Sequence, residues 1–188
     1  MQTAELPIPK KERYTYEDYA QLPEGAPYQL IDGELVMSPS PSTYHQHLVL
    51  RLGRALLNFA EEHQTGEVFV APMDVYLSPE DTVQPDLIFI AQARRGIIGE
   101  QKIDGAPDLI VEILSPSTAY LDLTKKKRLY ERHGVKEYWI VDPEQRTVEI
   151  FEHADGRFMQ RARLVETGTA ASTLLDGFEV DLADLFQQ

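Results

Sequence analysis

Pro107-Asp108-Leu109-Ile110-Val111-Glu112-Ile113-Leu114, the turn Ser115-Pro116-Ser117-Thr118, a segment from Ala119 to His133 stopped by Gly134, and Lys136-Glu137-Tyr138-Trp139-Ile140-Val141 form the stretch on which the fold turns. The first and last runs are near-continuously apolar, the pattern of strands buried on both faces. Between them apolar residues recur at helical spacing, and Gly134 supplies a C-terminal stop. A strand, a helix of about four turns and a second strand make a crossover unit, expected to be right-handed with its two strands parallel.

Upstream, Val83-Gln84-Pro85-Asp86-Leu87-Ile88-Phe89-Ile90 reads as a third buried strand with Pro85 at its start, and Val68-Phe69-Val70 and Val75-Tyr76-Leu77 as shorter ones. From Thr43 onward Leu48, Leu52, Ala55, Leu56, Phe59 and Ala60 mark a long helix that Gly66 ends. Tyr28 to Met37 carries Asp32-Gly33 between apolar residues, a hairpin signal, and Thr15 caps a short helix that Pro23 and Gly25 end. Residues 1–13, with Pro7, Pro9, Lys10, Lys11 and Arg13, read as an arm ordered only if something holds it, and 14–188 as one domain. Downstream, Val148, Ile150 and Phe158 flank Asp155-Gly156 in a C-terminal antiparallel hairpin on the sheet edge. Leu174 to Phe186 holds an Asp176-Gly177 turn and a short apolar segment. The expected class is α/β with a mixed sheet.

The 188 residues contain no cysteine, which excludes a disulfide framework, a thiolate metal site and a cysteine nucleophile. Eighteen Lys and Arg against thirty-one Asp and Glu give a charge of −13, so any nucleic-acid contact is local rather than a broad basic face. Without a basic stretch leading into an apolar run, or an apolar run of about 20 residues, neither a secretory signal nor a membrane span is expected, and the expected location is the cytoplasm. Gly-x-Ser-x-Gly, Walker-type and Gly-x-Gly-x-x-Gly patterns are absent from the sequence, which argues against a serine hydrolase, a nucleoside triphosphatase and a dinucleotide enzyme.

Asp86 and Glu112 fall in two apolar strands, where an ionised carboxylate is costly unless paired or bound to a cation. Together they suggest Mg²⁺ or Mn²⁺, which take oxygen ligands, keep waters and accept substrate phosphate. Either acid alone would equally suit a strand end open to water. Asp108 competes for the role, but four residues along one strand place it roughly 13 Å from Glu112, so Asp86, from a neighbouring strand, is the better partner. Asp122, Lys126 and Tyr130 follow at spacings of four on one helical face with Leu129 beside them, which selects Lys126 from Lys125-Lys126-Lys127-Arg128 as the cation facing Glu112; a wholly solvated basic face is the bland reading. His45 and His47 open the long helix, where backbone N–H groups favour anions, although a histidine there is also an ordinary surface or capping residue. Two apart, they do not face one direction, so no zinc site is read.

Asp32-Gly33-Glu34-Leu35, Ser38-Pro39-Ser40-Pro41 with His45, Gln84-Pro85-Asp86-Leu87, the run from Pro107 to Thr118, and Asp122, Lys126, Tyr130 with Gly134 to Pro143 together resemble the Uma-two family of bacterial endonucleases. The likeness covers the chain from about Tyr28 to Phe186, and that family is similar to the PD-(D/E)XK nucleases. The resemblance implies a restriction endonuclease-like α-β-β-β-α-β core, with Asp86 and Glu112 holding Mg²⁺ (or Mn²⁺) near the backbone carbonyl of Ile113. It also implies a nucleic-acid substrate, DNA ahead of RNA, and, by analogy with nucleases that cut two strands, a homodimer; a basic partner or the dimer would supply the missing charge. Two residues beyond Glu112, where such nucleases carry a lysine, stands Leu114, so the resemblance moves that role to Lys126, which would orient or deprotonate water. Gln29 stands where family members tend to carry a glutamate, a role that would pass to Glu34. His45 matches the family histidine without a fixed role. The contrasting reading is a catalytically silent module of the same fold, which Leu114 and the charge favour and which intact Asp86, Glu112 and Lys126 oppose.

Overall fold

The computed structural model describes residues 8–116 and 119–187. The expected arm therefore lies outside the described residues over 1–7, as do Ser117 and Thr118 of the expected turn.

A short helix, α1 (Tyr16–Tyr19), precedes the hairpin of β1 (Tyr28–Ile31) and β2 (Glu34–Met37). Asp32 and Gly33 turn it with φ of 49° and 74°, the positive pair that Asp-Gly tolerates. Ser42 caps α2 (Thr43–His63) by accepting from the His45 backbone N–H. The helix ends with Gln64 in the left-handed region at φ 52°, rather than at Gly66. Gly66 instead opens β3 (Gly66–Val70), where a β-carbon would lie 2.1 Å from the Ile90 carbonyl oxygen, so close strand approach demands glycine there.

β4 (Val75–Ser78), β5 (Asp81–Val83) and β6 (Leu87–Ala91) follow. The single strand expected over 83–90 is two: Val83 ends β5 in one sheet, Leu87 opens β6 in another, and Gln84-Pro85-Asp86 crosses between them. Proline lacks the N–H that a continuing ladder needs. Beyond a 3₁₀ turn at Gln92–Ile97 come β7 (Ile103–Asp104) and β8 (Leu109–Ile113). The next helix is not regular as expected: Leu121–Lys126 is wound as a π-helix before α3 (Lys127–His133), and Gly134 closes it at φ 76°. β9 (Glu137–Asp142), β10 (Thr147–Ala154) and β11 (Arg157–Val165) complete the main sheet. β12 (Thr169–Ala171), β13 (Glu179–Asp181) and α4 (Leu182–Leu185) build more structure in the tail than its turn announced.

The main sheet has the order β11-β10-β9-β8-β6-β3. Only β8 and β9 run parallel in it, Leu109 opposite Glu137, so α2-β3-β6-β8-α3-β9 is the expected α-β-β-β-α-β core with the expected hairpin at its edge. The second sheet, β2-β1-β5-β4-β7, departs from the single sheet expected. Strand alternation divides the main sheet into two apolar faces. Leu87, Phe89, Val111, Ile113 and Trp139 pack on Leu48, Leu52 and Leu56 of α2 and on Phe178, Leu182 and Phe186 of the tail. Ile88, Ile90, Ile110, Tyr138 and Ile140 pack on Leu129 and Tyr130 and on Ile31, Val75 and Val83 of the small sheet. Each such side chain contributes about 1.5–3 kcal/mol by burial. Period two puts Glu112 on the second face with Ile110.

Two buried acids fasten the periphery. Glu137 accepts from Trp139 Nε1 at 2.6 Å, Ser172 Oγ at 2.8 Å and the Thr173 and Leu174 N–H groups at 2.7 and 2.8 Å, binding the tail to β9. Asp81, 3% exposed, accepts from the Asp32 N–H, Ser78 Oγ and Arg132 at 2.8, 2.7 and 3.0 Å, joining the small sheet to α3. Burial alone would raise the Asp81 pKa, but His133, Ser78, the Asp32 N–H and Arg132 outweigh it and hold it down to about 2. A depressed acid stabilises the fold above its unfolded value of about 4, and that contribution is lost as pH falls toward 2. Asp81→Asn should therefore cost about 2 kcal/mol at neutral pH, with an acid limb shallower than wild type in thermal unfolding followed by circular dichroism; equal limbs would refute the assignment.

Candidate active site

The break between β5 and β6 leaves Asp86 just ahead of the main sheet, beside the C-terminal end of β8. Its Oδ2 accepts from the Ile113 N–H at 2.7 Å, which ties the Pro-Asp corner to the residue following Glu112. Glu112 itself is 3% exposed. Its Oε1 accepts from Lys126 Nζ at 3.0 Å and from the Tyr130 hydroxyl at 2.5 Å, and Lys126 also meets Asp122 Oδ1 at 3.2 Å. The π turn is compatible with the spacing of four that selected these residues, and the Tyr138 hydroxyl steadies it by donating to the Asp122 carbonyl at 3.1 Å. Single π turns of this kind recur at functional sites.

His45 is not a surface residue. It comes from the first turn of α2 and is 7% exposed, with Nε2 3.0 Å from the Ile113 carbonyl and 3.3 Å from Asp86 Oδ2. Two acceptors facing Nε2 require that it carry the hydrogen. His47, by contrast, is exposed. Gln29 occupies the cavity wall, donating to Ser38 Oγ at 2.6 Å and accepting from the Gln84 N–H at 2.9 Å. Glu34 does not take its place: it pairs with Lys125 at 2.7 Å and is not among the residues lining the cavity. Asp108 is fully buried elsewhere, between Arg94 at 3.1 Å and Lys136 at 2.7 Å, so it is a structural acid with no part in the site. The structure thus brings together Asp86, Glu112, Asp122, Lys126, Tyr130 and His45 and leaves out Glu34. Gln29, flagged by the resemblance as the position of a family glutamate, lines the cavity itself, and Gln84, quoted only as part of the motif before Asp86, lines it too.

Asp86, Glu112, Asp122, Lys126 and His45 line one cavity of about 480 Å³. Burial pushes the Glu112 carboxyl up to about 8; Lys126 and Tyr130 oppose this, while Asp122 and Asp86 add to it. Lys126 stays charged because the same acids outweigh the cost of burying its ammonium. Burial also works against charging His45, but Asp86 and the Ile113 carbonyl outweigh it and its pKa is raised. Three carboxyl groups share the wall with one ammonium and one imidazole, and their mutual repulsion, a negative charge built up as they ionise, is part of what raises Glu112. Asp86 Oδ1 and Glu112 Oε2 have no hydrogen-bond partner among the described residues. Two hard oxygens facing a cavity with that charge could hold a divalent cation. Two carboxylate oxygens are a donor set suited to an ion that keeps waters and takes substrate oxygens; among the described residues no group of three or more His, Asp or Glu is placed to hold a metal ion.

The fold and this carboxylate cluster define a class, the restriction endonuclease-like α/β proteins. A crystal structure from Anabaena variabilis, described as a "putative nuclease belonging to DUF820", superposes with a TM-score of 0.74 over 92% of this chain and 97% of its own, at 20% identity. The chain belongs to the Uma2 family, described as "Putative restriction endonuclease", whose model matches residues 16–183. Among relatives, the Synechocystis sp. "Uncharacterized protein sll1609" is 28% identical over 147 residues, 76% of this chain and 82% of its own length. No helix among the described residues is long and apolar enough to cross a membrane.

A raised acid favours the protonated folded state, so its contribution is present below the unfolded value of about 4.3 and lost as pH rises through about 8. In chelator, wild type should lose about 1–3 kcal/mol relative to Glu112→Gln between pH 5 and 8 in denaturant titrations; parallel profiles would contradict the burial assigned to Glu112.

Proposed function

We propose that the protein is a metal-dependent endonuclease that hydrolyses phosphodiester bonds, DNA ahead of RNA, with Asp86 and Glu112 holding Mg²⁺ or Mn²⁺. The observation that carries this reading is the gathering of Asp86, Glu112 and Asp122 on one cavity wall beside the Lys126 ammonium: their repulsion raises Glu112, and a divalent cation held there would relieve it. When bound, the ion lowers the pKa of water and neutralises charge on the phosphodiester. The protein's own groups do the rest. Lys126, held protonated by Glu112 and Asp122, orients the attacking water and meets charge that develops on the phosphate oxygens. Because it remains an ammonium, orientation rather than proton removal is the role its surroundings support. Tyr130 fixes the Glu112 carboxylate, and His45 fixes Asp86 against the Ile113 carbonyl.

Of labelled single-stranded DNA, duplex DNA and RNA incubated with Mg²⁺ or Mn²⁺, at least one DNA form should be cleaved by wild type, and at least about 100-fold more slowly by Glu112→Ala and Lys126→Ala. Millimolar Mn²⁺ should raise the wild-type melting temperature and leave that of Glu112→Ala unmoved. Equal traces of cleavage in all three proteins would mean contamination, and silence with no thermal shift would leave the silent module as the better reading.

A further inference from the structure

The walls of the cavity bear on the shape of the substrate. At about 480 Å³, it has room on the order of a nucleotide unit rather than the face of a duplex. Pro27, Pro39, Pro41 and Pro72 line it, and proline offers a phosphate neither charge nor N–H. Among the described residues Lys126 is the one Lys or Arg in the lining, and it is engaged by Glu112 and Asp122. Of the seventeen other Lys and Arg, ten are in ion pairs with acids among the described residues. Arg51 is taken up by the Leu185 and Gln187 carbonyls, and Lys127 by the Phe151 ring.

A duplex carries a charge for about every 1.7 Å of its axis. Laid across this mouth it would bring many phosphates to a chain of charge −13 whose described cavity lining holds one Lys or Arg, the already paired Lys126. A single strand entering the cavity brings one or two phosphates and presents unpaired base faces. We propose that the site admits single-stranded nucleic acid, a strand end or unpaired segment held through one or two phosphates. This rests on the nuclease reading above.

Fluorescence anisotropy of short labelled single-stranded DNA, single-stranded RNA and blunt duplex DNA, with Ca²⁺ in place of Mg²⁺ and across a salt series, tests it. Both single strands should bind at least about tenfold more tightly than duplex, whichever sugar is preferred, with a log–log salt slope no steeper than about −2, as one or two phosphates imply. Duplex binding as tight as single-strand binding, or a steeper slope, would overturn the proposal while leaving a nuclease that cleaves duplex intact. Absence of both binding and cleavage for every nucleic acid would overturn the nuclease reading itself and this inference with it.

Discussion

A carboxylate buried in the middle of a sheet governs this molecule. Glu112 alternates with Ile110 onto the face covered by α3, and an unpartnered charge there would be prohibitive. The answer is a short chain of polar contacts: Glu112 to Lys126 and Tyr130, Lys126 to Asp122, and Tyr138 to the Asp122 backbone. β8, the π turn, α3 and β9 are thus joined by hydrogen bonds as well as by apolar packing. The arrangement is only partly self-sufficient, since acids outnumber the ammonium. Conflict of this kind within an otherwise consistent core is where chemistry tends to be found.

Much of this was visible in the residues, and the failures have physical reasons. Period two assigned Glu112 its face, and helical spacing chose Lys126 and Tyr130. That spacing was computed for an α-helix, yet i to i+4 still closes in the π turn because side chains as long as lysine tolerate the change in winding. The apolar run over 83–90 concealed a crossing between sheets, because hydropathy reports burial and not which sheet does the burying; Pro85 was the available signal and was read as a strand start. His45 could not be separated from a surface histidine, since its burial depends on Ile113, 68 residues away. The strands of the tail are three residues each, too short for any period to register.

The site of Lys126 also changes what positions the cation. The nuclease resemblance led one to look two residues beyond Glu112, where Leu114 instead joins the apolar cluster with Leu129 and Tyr130. A lysine on the strand would take its direction from the pleat. Here the direction comes from two acids on separate elements, and the ammonium stands where β8 and the π turn meet. Its placement therefore depends on tertiary packing as much as on backbone geometry.

The tail has a consequence in time as well as in space. Phe178, Leu182 and Phe186 cover the same sheet face as α2, and Glu137 reaches its Ser172, Thr173 and Leu174 partners only when the tail arrives. A chain made from its N-terminus forward completes every strand of the main sheet before it completes that cover. Trp139 and its neighbours wait without that part of their cover during the interval, and a fully buried acid waits for Ser172 Oγ, the N–H and hydroxyl of Thr173 and the Leu174 N–H, so this later segment converts an almost finished nascent sheet into a sealed one.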